Sequence, residues 1–459
     1  MKIIILGAGQ VGSSLAQHLA REANDITVVD NRGEVLRELQ ERLDLRTICG
    51  FAAHPDVISS AGGADADMVI AVTNSDEVNM IACQVAQTLF RTPAKIARVR
   101  SAAYLAYPEL CTAENSALPI DVVISPEQLV TNHVERLITH PGALQVVDFA
   151  DGRLQMVGVK AMEGGAAVGK PVRFIAEHLP EVNMRIAAIF RDGSNIKPEG
   201  SVVIEPGDEV FFLASPTQIK ALTAEFREAD KPYKRIMIAG GGNIGMRLAS
   251  ILEGRYKVKL IEPDLGRTRY LAEVLNKTII LHGDAADEEL LREENVGSMD
   301  VFVSLTNKDE ANILSAMLAR RLGARKTMAL VNRPGYSQMI ENGLVDIAIS
   351  PQEITLGALL TRVRRGDIVA VHSMRKGSSE AIEAIAHGDR KTSKVVGRMI
   401  EELKLPEGIR FSALVRGETV IIVHHDTVIQ PEDHVIIFVA DKRKLPEVER
   451  MFQVKVTYL

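Results

Sequence analysis

Two glycine-rich loops lie 233 residues apart in this chain. Gly7-Ala8-Gly9-Gln10-Val11-Gly12 follows a short aliphatic run and opens an amphipathic stretch, and Gly240-Gly241-Gly242-Asn243-Ile244-Gly245 repeats the pattern. In a strand–turn–helix setting the first glycine permits a tight turn and the second lets the backbone approach a pyrophosphate. The third lets helix and strand pack closely, and the phosphates then meet the free N–H groups of the helix N-terminus. Asp30 stands 23 residues after Gly7, and Glu262 stands 22 after Gly240, each closing a second strand. A carboxylate there accepts hydrogen bonds from ribose hydroxyls and disfavours a 2′-phosphate. The expected ligand is therefore NAD-like or adenosine-like rather than NADP-like.

Further polar residues fall where the strands of such a sheet end. Thr73 and Asn74 follow the run Met68 to Val72, and Thr306 and Asn307 follow Val301 to Leu305. They face the carboxyl edge, where ligands of doubly wound sheets bind, although Thr73, Asn74 or Ser75 can equally cap the next helix. Arg98 interrupts an apolar strand and needs an anion there, either a nucleotide phosphate or a carboxylate such as Glu114. The second copy has Leu330 in its place. Asp284 follows Gly283 in the second copy, where the first has Phe51 after Gly50. Asp284 either reaches the ligand or caps a helix. The two sites are expected to differ in their preference for highly charged phosphates.

These residues need elements to hold them, and the chain supplies the same set twice. TNSDEVNMIAC from Thr73 returns as TNKDEANILSA from Thr306, and ISPEQ from Ile124 returns as ISPQE from Ile349. In each half, short aliphatic runs alternate with amphipathic stretches, which means βαβ units and a parallel sheet. Closer-spaced strands and turn residues follow, with Asp192-Gly193 as a hairpin turn. The fold class is α/β: two tandem Rossmann-like parallel-sheet domains, each followed by a small α+β domain. The boundaries read 1–140, 141–230, 231–365 and 366–459. The stretches Pro126–His140 and Pro351–Arg364 are the helices that join the two kinds of domain. Ile354, Leu356, Leu359, Leu360 and Val363 give the second more apolar surface than one sheet edge needs, which suggests an interface between chains.

Composition removes several classes of function. The net charge is −6, Trp is absent and aromatic residues make up 4%, so nucleic acid is not an expected partner. No run of about 18 apolar residues is present to span a membrane. The start MKIIILGAG is a strand, not a signal peptide. Cys49, Cys83 and Cys111 match no metal spacing and read as reduced thiols, small residues of a core. His424-His425 falls in a strand, which sends the pair to opposite faces and argues against a shared metal. The basic run Arg362 to Arg365 reads as a solvated helix end.

The order GAGQVG, VVD, TNSDEVN, IARVR and ISPE, then a small domain with AVGKPVRFIAEHLPEVNMRIAAIFRDG, all repeated, resembles tandem RCK (also called KTN) modules. The resemblance covers essentially the whole chain. It implies a cytoplasmic regulatory subunit, peripheral on the inner face of the membrane, whose small domains are RCK C-terminal domains. It implies NAD(H), and ATP or ADP, as ligands, and a ring assembly. Its partner would be a potassium-translocating pore of the TrkH or TrkG type. Carried over to this sequence, the family's nucleotide contacts fall on Gly7 to Val11, Asp30, Thr73, Asn74 and Arg98, then on Gly240 to Ile244 and Glu262. Leu330 and Phe51 depart from the family pattern.

The competing function is an NAD-dependent dehydrogenase. That enzyme needs a general acid or base near the nicotinamide. The small domains repeat no His, Lys or Tyr at a plausible position, so no enzyme activity is expected. A separate effector of the small domains, such as a cyclic dinucleotide or a metal ion, is a third reading. With two modules per chain, four chains would close a ring, so the expected assembly is a homotetramer.

Overall fold

The structure, a computed structural model, describes residues 1–20, 24–110, 118–228, 232–333, 335–336, 344–363, 368–374 and 379–454. Six strands form the first sheet: β1 (Lys2–Leu6), β2 (Asp25–Asp30), β3 (Arg46–Cys49), β4 (Met68–Ala71), β5 (Ala94–Arg98) and β6 (Val122–Ile124). All pair in parallel, in the order β3-β2-β1-β4-β5-β6. The order reverses between β1 and β4, which puts the glycine loop after β1 at the switch point where such sheets bind ligands. Ile3, Ile4, Ile5 and Leu6 are all buried, as expected of a central strand covered on both faces.

The second sheet consists of β7 (Ala143–Phe149), β8 (Leu154–Lys160), β9 (Met184–Arg191), β10 (Ser194–Ile196) and β11 (Glu209–Ala214). It is antiparallel, in the order β10-β9-β11-β8-β7. The β9–β10 hairpin turns on Asp192 and Gly193, with φ of 46° and 89°. Two consecutive left-handed residues make the turn whose twist matches a hairpin.

The chain then repeats itself. Strands β12 (Arg235–Ala239), β13 (Lys257–Glu262), β14 (Ile279–His282), β15 (Val301–Ser304), β16 (Lys326–Leu330) and β17 (Ile347–Ile349) form a parallel sheet ordered β14-β13-β12-β15-β16-β17. Strands β18 (Ile368–Met374), β19 (Ser379–Ile385), β20 (Ile409–Arg416), β21 (Thr419–Ile422) and β22 (His434–Val439) form an antiparallel one, ordered β18-β19-β22-β20-β21. Each copy thus has the same pair of topologies.

The compact units do not follow the sequence halves. One comprises Met1–Val130 with Pro351–Val363, the other Thr131–Ser350 with Arg364–Leu459. In the first, the helix Pro351–Val363 inserts Leu356, Leu359, Leu360 and Val363 into the core built on Ile3, Ile5, Leu15 and Val28. Leu359 is wholly buried there. This corrects the expectation that the helix's surplus apolar surface serves an interface between chains: it completes a core of its own chain. In the second unit, Val134, Leu137 and Ile138 of the helix Pro126–Thr139 are buried, and Glu135 pairs with Arg255.

The two antiparallel sheets share a core within the second unit. Val147, Phe149, Met156 and Phe190 pack in one cluster with Met374, Ala413 and Phe438. Hydrogen bonds stitch the same joint: Arg410 donates to the Ala187 carbonyl at 2.9 Å, and the Ala150 N–H donates to Glu383 at 3.1 Å.

Two smaller expectations are corrected. His424 and His425 lie in an exposed turn after β21, not in a strand, because the ladder ends at Ile422. Cys49 is exposed at the end of edge strand β3, whereas Cys83 is buried. Cys111, Glu114, Arg364 and Arg365 lie outside the described residues. Among the described residues no helix is long and apolar enough to cross a membrane, and no group of His, Cys, Asp and Glu could hold a metal ion.

Candidate nucleotide sites

In the first unit the loop after β1 is built as its glycines require. Gly7 has φ of 107°, a left-handed conformation, and its N–H donates to the Val29 carbonyl at 2.7 Å. Gly9 sits at the N-cap of the helix Gln10–Leu19 with no side chain capping it and no acid in the first turn. A Cβ built on Gly9 meets nothing within 4 Å, so the space above it is open. The helix N-terminus therefore presents uncapped N–H donors and the positive end of its dipole to that space.

Asp30 closes the loop from the next strand. Its Oδ2 accepts the Ala8 N–H at 2.7 Å, and its Oδ1 accepts the Arg32 N–H at 2.9 Å. The Arg32 guanidinium adds two more bonds, Nε to Oδ1 at 3.0 Å and Nη2 to Oδ2 at 3.2 Å. Burial pushes the Asp30 carboxyl up, but these donors outweigh it and hold the group below the usual carboxylate range.

Asn79, fully buried, governs the loop after β4. Its Oδ1 accepts the Thr73 N–H at 2.9 Å and the Thr73 hydroxyl at 2.7 Å. Its amide donates to the Thr73 carbonyl at 3.3 Å and to the Arg98 carbonyl at 2.9 Å. Thr73 is thus committed to the fold of the loop, while Asn74 is exposed at its tip. The helix cap is Ser75, whose hydroxyl accepts from Val78 at 3.3 Å. Buried Asp76 joins the ends of two strands by accepting the Arg100 and Ser101 N–H groups at 2.9 and 2.8 Å.

Arg98 ends β5. Its Nε is buried without a hydrogen-bond partner among the described residues. Burial, and then repulsion from Arg100, lowers its pKa against the pull of Glu127 and Asp76. An anion within reach would relieve this.

The second unit carries the same parts at Gly240, Gly242 and Gly245. Gly240 has φ of 102°, and Gly242 caps the helix Asn243–Leu252 without a side-chain bond. Glu262 Oε2 accepts the Gly241 N–H at 2.7 Å. Asn312 binds the Thr306 N–H and hydroxyl at 2.8 and 2.7 Å and the Leu330 carbonyl at 2.9 Å. Since Asn79 binds the Arg98 carbonyl in the same way, Leu330 does occupy the place of Arg98. Asp284 is exposed and accepts the Ala286 N–H at 2.9 Å, while Asp287 caps the following helix. Asp284 caps a local turn, not the helix. Phe51, at the matching place in the first copy, is half-exposed and stacks on His54.

Sequence reading missed Asn79, Asn312, Asp76 and Asp309. The signal was present: TNxDExN recurs with each of these residues in register.

The TrkA-N domain model matches residues 3–126 and 236–351, and the TrkA-C domain model matches 156–227 and 390–453. The chain belongs to the TrkA family. It is 56% identical over 458 residues to the Trk system potassium uptake protein TrkA of Halomonas elongata, covering 100% of each chain. It is 55% identical to the protein of that name from Vibrio alginolyticus, covering 99% of each. Among solved structures, the GsuK RCK domain superposes with a TM-score of 0.62 over 98% of this chain and 94% of its own, at 18% identity. A GsuK channel bound to NAD gives 0.60 over 98% of this chain and 78% of its own, also at 18% identity. These likenesses give this TrkA-family chain the RCK fold in both modules.

Proposed function

We propose that this chain is a nucleotide-sensing regulatory subunit, peripheral on the inner face of the membrane, which gates a potassium-translocating pore of the TrkH or TrkG type. The observation that carries the ligand is the repeated carboxylate-to-loop bond. Asp30 holds Ala8 and Glu262 holds Gly241, each at 2.7 Å, beside a helix N-terminus with no side-chain cap. Such a constellation fits a ribose next to a pyrophosphate. Bound NAD in a GsuK channel of the same fold supports NAD(H) as one ligand, and ATP or ADP share the chemistry. The potassium-uptake relatives, matched end to end, support the pore as partner.

Gating follows from differential affinity. A nucleotide that prefers one arrangement of the assembly tenfold shifts it by about 1.4 kcal/mol per site. We place four chains in the ring, as two modules each would close it. With the helix Pro351–Val363 accounted for internally, exposed Ile81 and Leu314 are a matched pair of apolar residues, among several exposed ones in the described residues, that would suit assembly. They lie 233 residues apart at matching places in the two modules. The end-to-end relatives named as potassium uptake proteins favour a regulator over an NAD-dependent dehydrogenase.

The test is calorimetry of NADH, NAD, ATP and ADP with the full chain, followed by potassium flux through the reconstituted pore with and without them. Binding with a change in flux is expected. Absence of any nucleotide binding, or steady NADH oxidation with carbonyl compounds, overturns the reading.

A further inference from the structure

The two sites share their parts but not their ribose acceptor. In the second, Glu262 receives only backbone donors: Gly241 N–H on Oε2 at 2.7 Å and Asp264 N–H on Oε1 at 3.0 Å. Among the described residues no basic side chain pairs with it. The nearby Arg267 is turned elsewhere, donating from Nε to the Gly241 carbonyl at 2.7 Å and lying 4.9 Å from the Tyr270 ring centre. Glu262 keeps lone pairs for two hydroxyls.

Asp30 does not. A carboxylate offers about four acceptor positions, and Asp30 has four donors on it: the Ala8 N–H, the Arg32 N–H, and Nε and Nη2 of Arg32. Two of the four are structural, since they fix the loop and the chain after β2. The other two come from one flexible side chain, more than half exposed, held on a carboxylate that is nearly buried. These are the positions a ribose diol would use. Arg32 is a donor fork of the geometry that a vicinal diol presents, and the two cannot occupy Asp30 together.

We propose that Arg32 is an internal competitor for the ribose of the first site, so that the two sites of one chain fill in order, the second before the first. This rests on the nucleotide reading given above. A nucleotide entering the first site displaces the guanidinium from Asp30 into solvent, and that exchange lowers the site's affinity. Displacement is feasible because the Arg32 side chain is more than half exposed, so the guanidinium leaves Asp30 directly for water while the diol takes over its two acceptor positions. The sequence carries the difference plainly: Asp30-Asn31-Arg32 in one copy against Glu262-Pro263-Asp264 in the other.

The experiment is calorimetry on the full chain with two probes, ADP and 2′,3′-dideoxy-ADP. The wild type should show two affinities for ADP, and Glu262→Ala should abolish the tighter. In that Glu262→Ala background, Arg32→Ala should tighten ADP at the first site by roughly threefold or more, since the guanidinium holds two charge-assisted bonds on a nearly buried carboxylate. Dideoxy-ADP has no diol to compete, so its affinity should not change. An unchanged melting temperature shows that the fold survives. Weaker ADP binding in Arg32→Ala makes Arg32 a ligand contact and overturns the proposal, as does equal tightening of both probes. Either result leaves nucleotide binding standing. No ADP binding at either site overturns both.

Discussion

Gly12 lies so close to Gly7 that a Cβ built on it stands 1.9 Å from the Gly7 carbonyl oxygen. Gly245 stands in the same relation to Gly240, again at 1.9 Å. The contact is with backbone, which has no flexible end to give way. Gly12→Ala must move the loop or the helix, at a cost of about 1–3 kcal/mol or more. Gly9→Ala is the control, since nothing lies within 4 Å of its Cβ. Thermal unfolding should show Gly12→Ala destabilised and Gly9→Ala near wild type. Nucleotide titration should show both impaired at the first site, because the Gly9 methyl enters the space above the helix N-terminus. Normal binding by Gly9→Ala contradicts that placement.

Asn79 and Asn312 are each fully buried and each serve four hydrogen bonds. Truncation to Ala strands the loop N–H and two carbonyls in a dry site, at about 1–3 kcal/mol for each polar group left unpaired. Asn79→Ala should lower the denaturant midpoint of the first unit, and Asn312→Ala that of the second. The sites share no partners, so the double variant should show additive losses. A near-neutral Asn79→Ala would mean that the loop repacks without it.

Leu359 and Leu360 complete the core of a unit whose residues outside the helix Pro351–Val363 all lie before 131. Leu359→Asp should therefore unfold the first unit, costing about 3–5 kcal/mol as an unpaired buried charge. Change in assembly would follow from lost folding. For the same reason a fragment of residues 1–230 lacks part of its core and should not melt cooperatively as a monomer. A monomeric fragment with a sharp transition by scattering and calorimetry would refute this.

Acid should weaken the second unit. Burial, then the charge of Arg136, lowers the pKa of His372 to about 4, with Asp148 opposing, and the same two causes lower His133 to about 4. Both are near 6.5 when unfolded. Between those values the unfolded chain binds more protons, so stability falls as pH drops from about 6.5 towards 4 and is flat above. Each imidazole keeps some contact with water, so each contributes less than the ~1.4 kcal/mol per pH unit that one proton allows. His372→Gln should shallow the slope of unfolding free energy below pH 6. An unchanged slope would assign the effect to other groups.

Much of this molecule was legible because its chemistry is local. GxGxxG after an aliphatic run dictates a strand, a turn and a helix start, and Asp30 and Glu262 follow at the length of one βα unit. Arg98 against Leu330 could be read by counting, and the bonds from Asn79 and Asn312 place them alike. What was not legible depends on partners distant in sequence. The apolar stripe of Pro351–Val363 says that the helix is buried, but not by what. Its partners, Ile3 to Val28, lie more than three hundred residues away. Arg32 escaped notice because an Asp-x-Arg triplet is unremarkable until both nitrogens are seen on one carboxylate. Cys49 was misplaced since composition favours buried thiols, while β3 is an edge strand.

The helix Pro351–Val363 also orders events in time. Chains leave the ribosome from the N-terminus, and domains usually fold as they emerge. The first unit cannot do so, because its last core residue, Val363, is made after the whole of 131–350. Throughout that interval Leu15, Val28 and their neighbours lack the side chains that finally cover them. The nascent chain must wait, with its first core incomplete, until the antiparallel sheet of β7 to β11 and the whole parallel sheet of β12 to β17 have been synthesised. The first glycine loop to be translated thus belongs to one of the last cores to be finished.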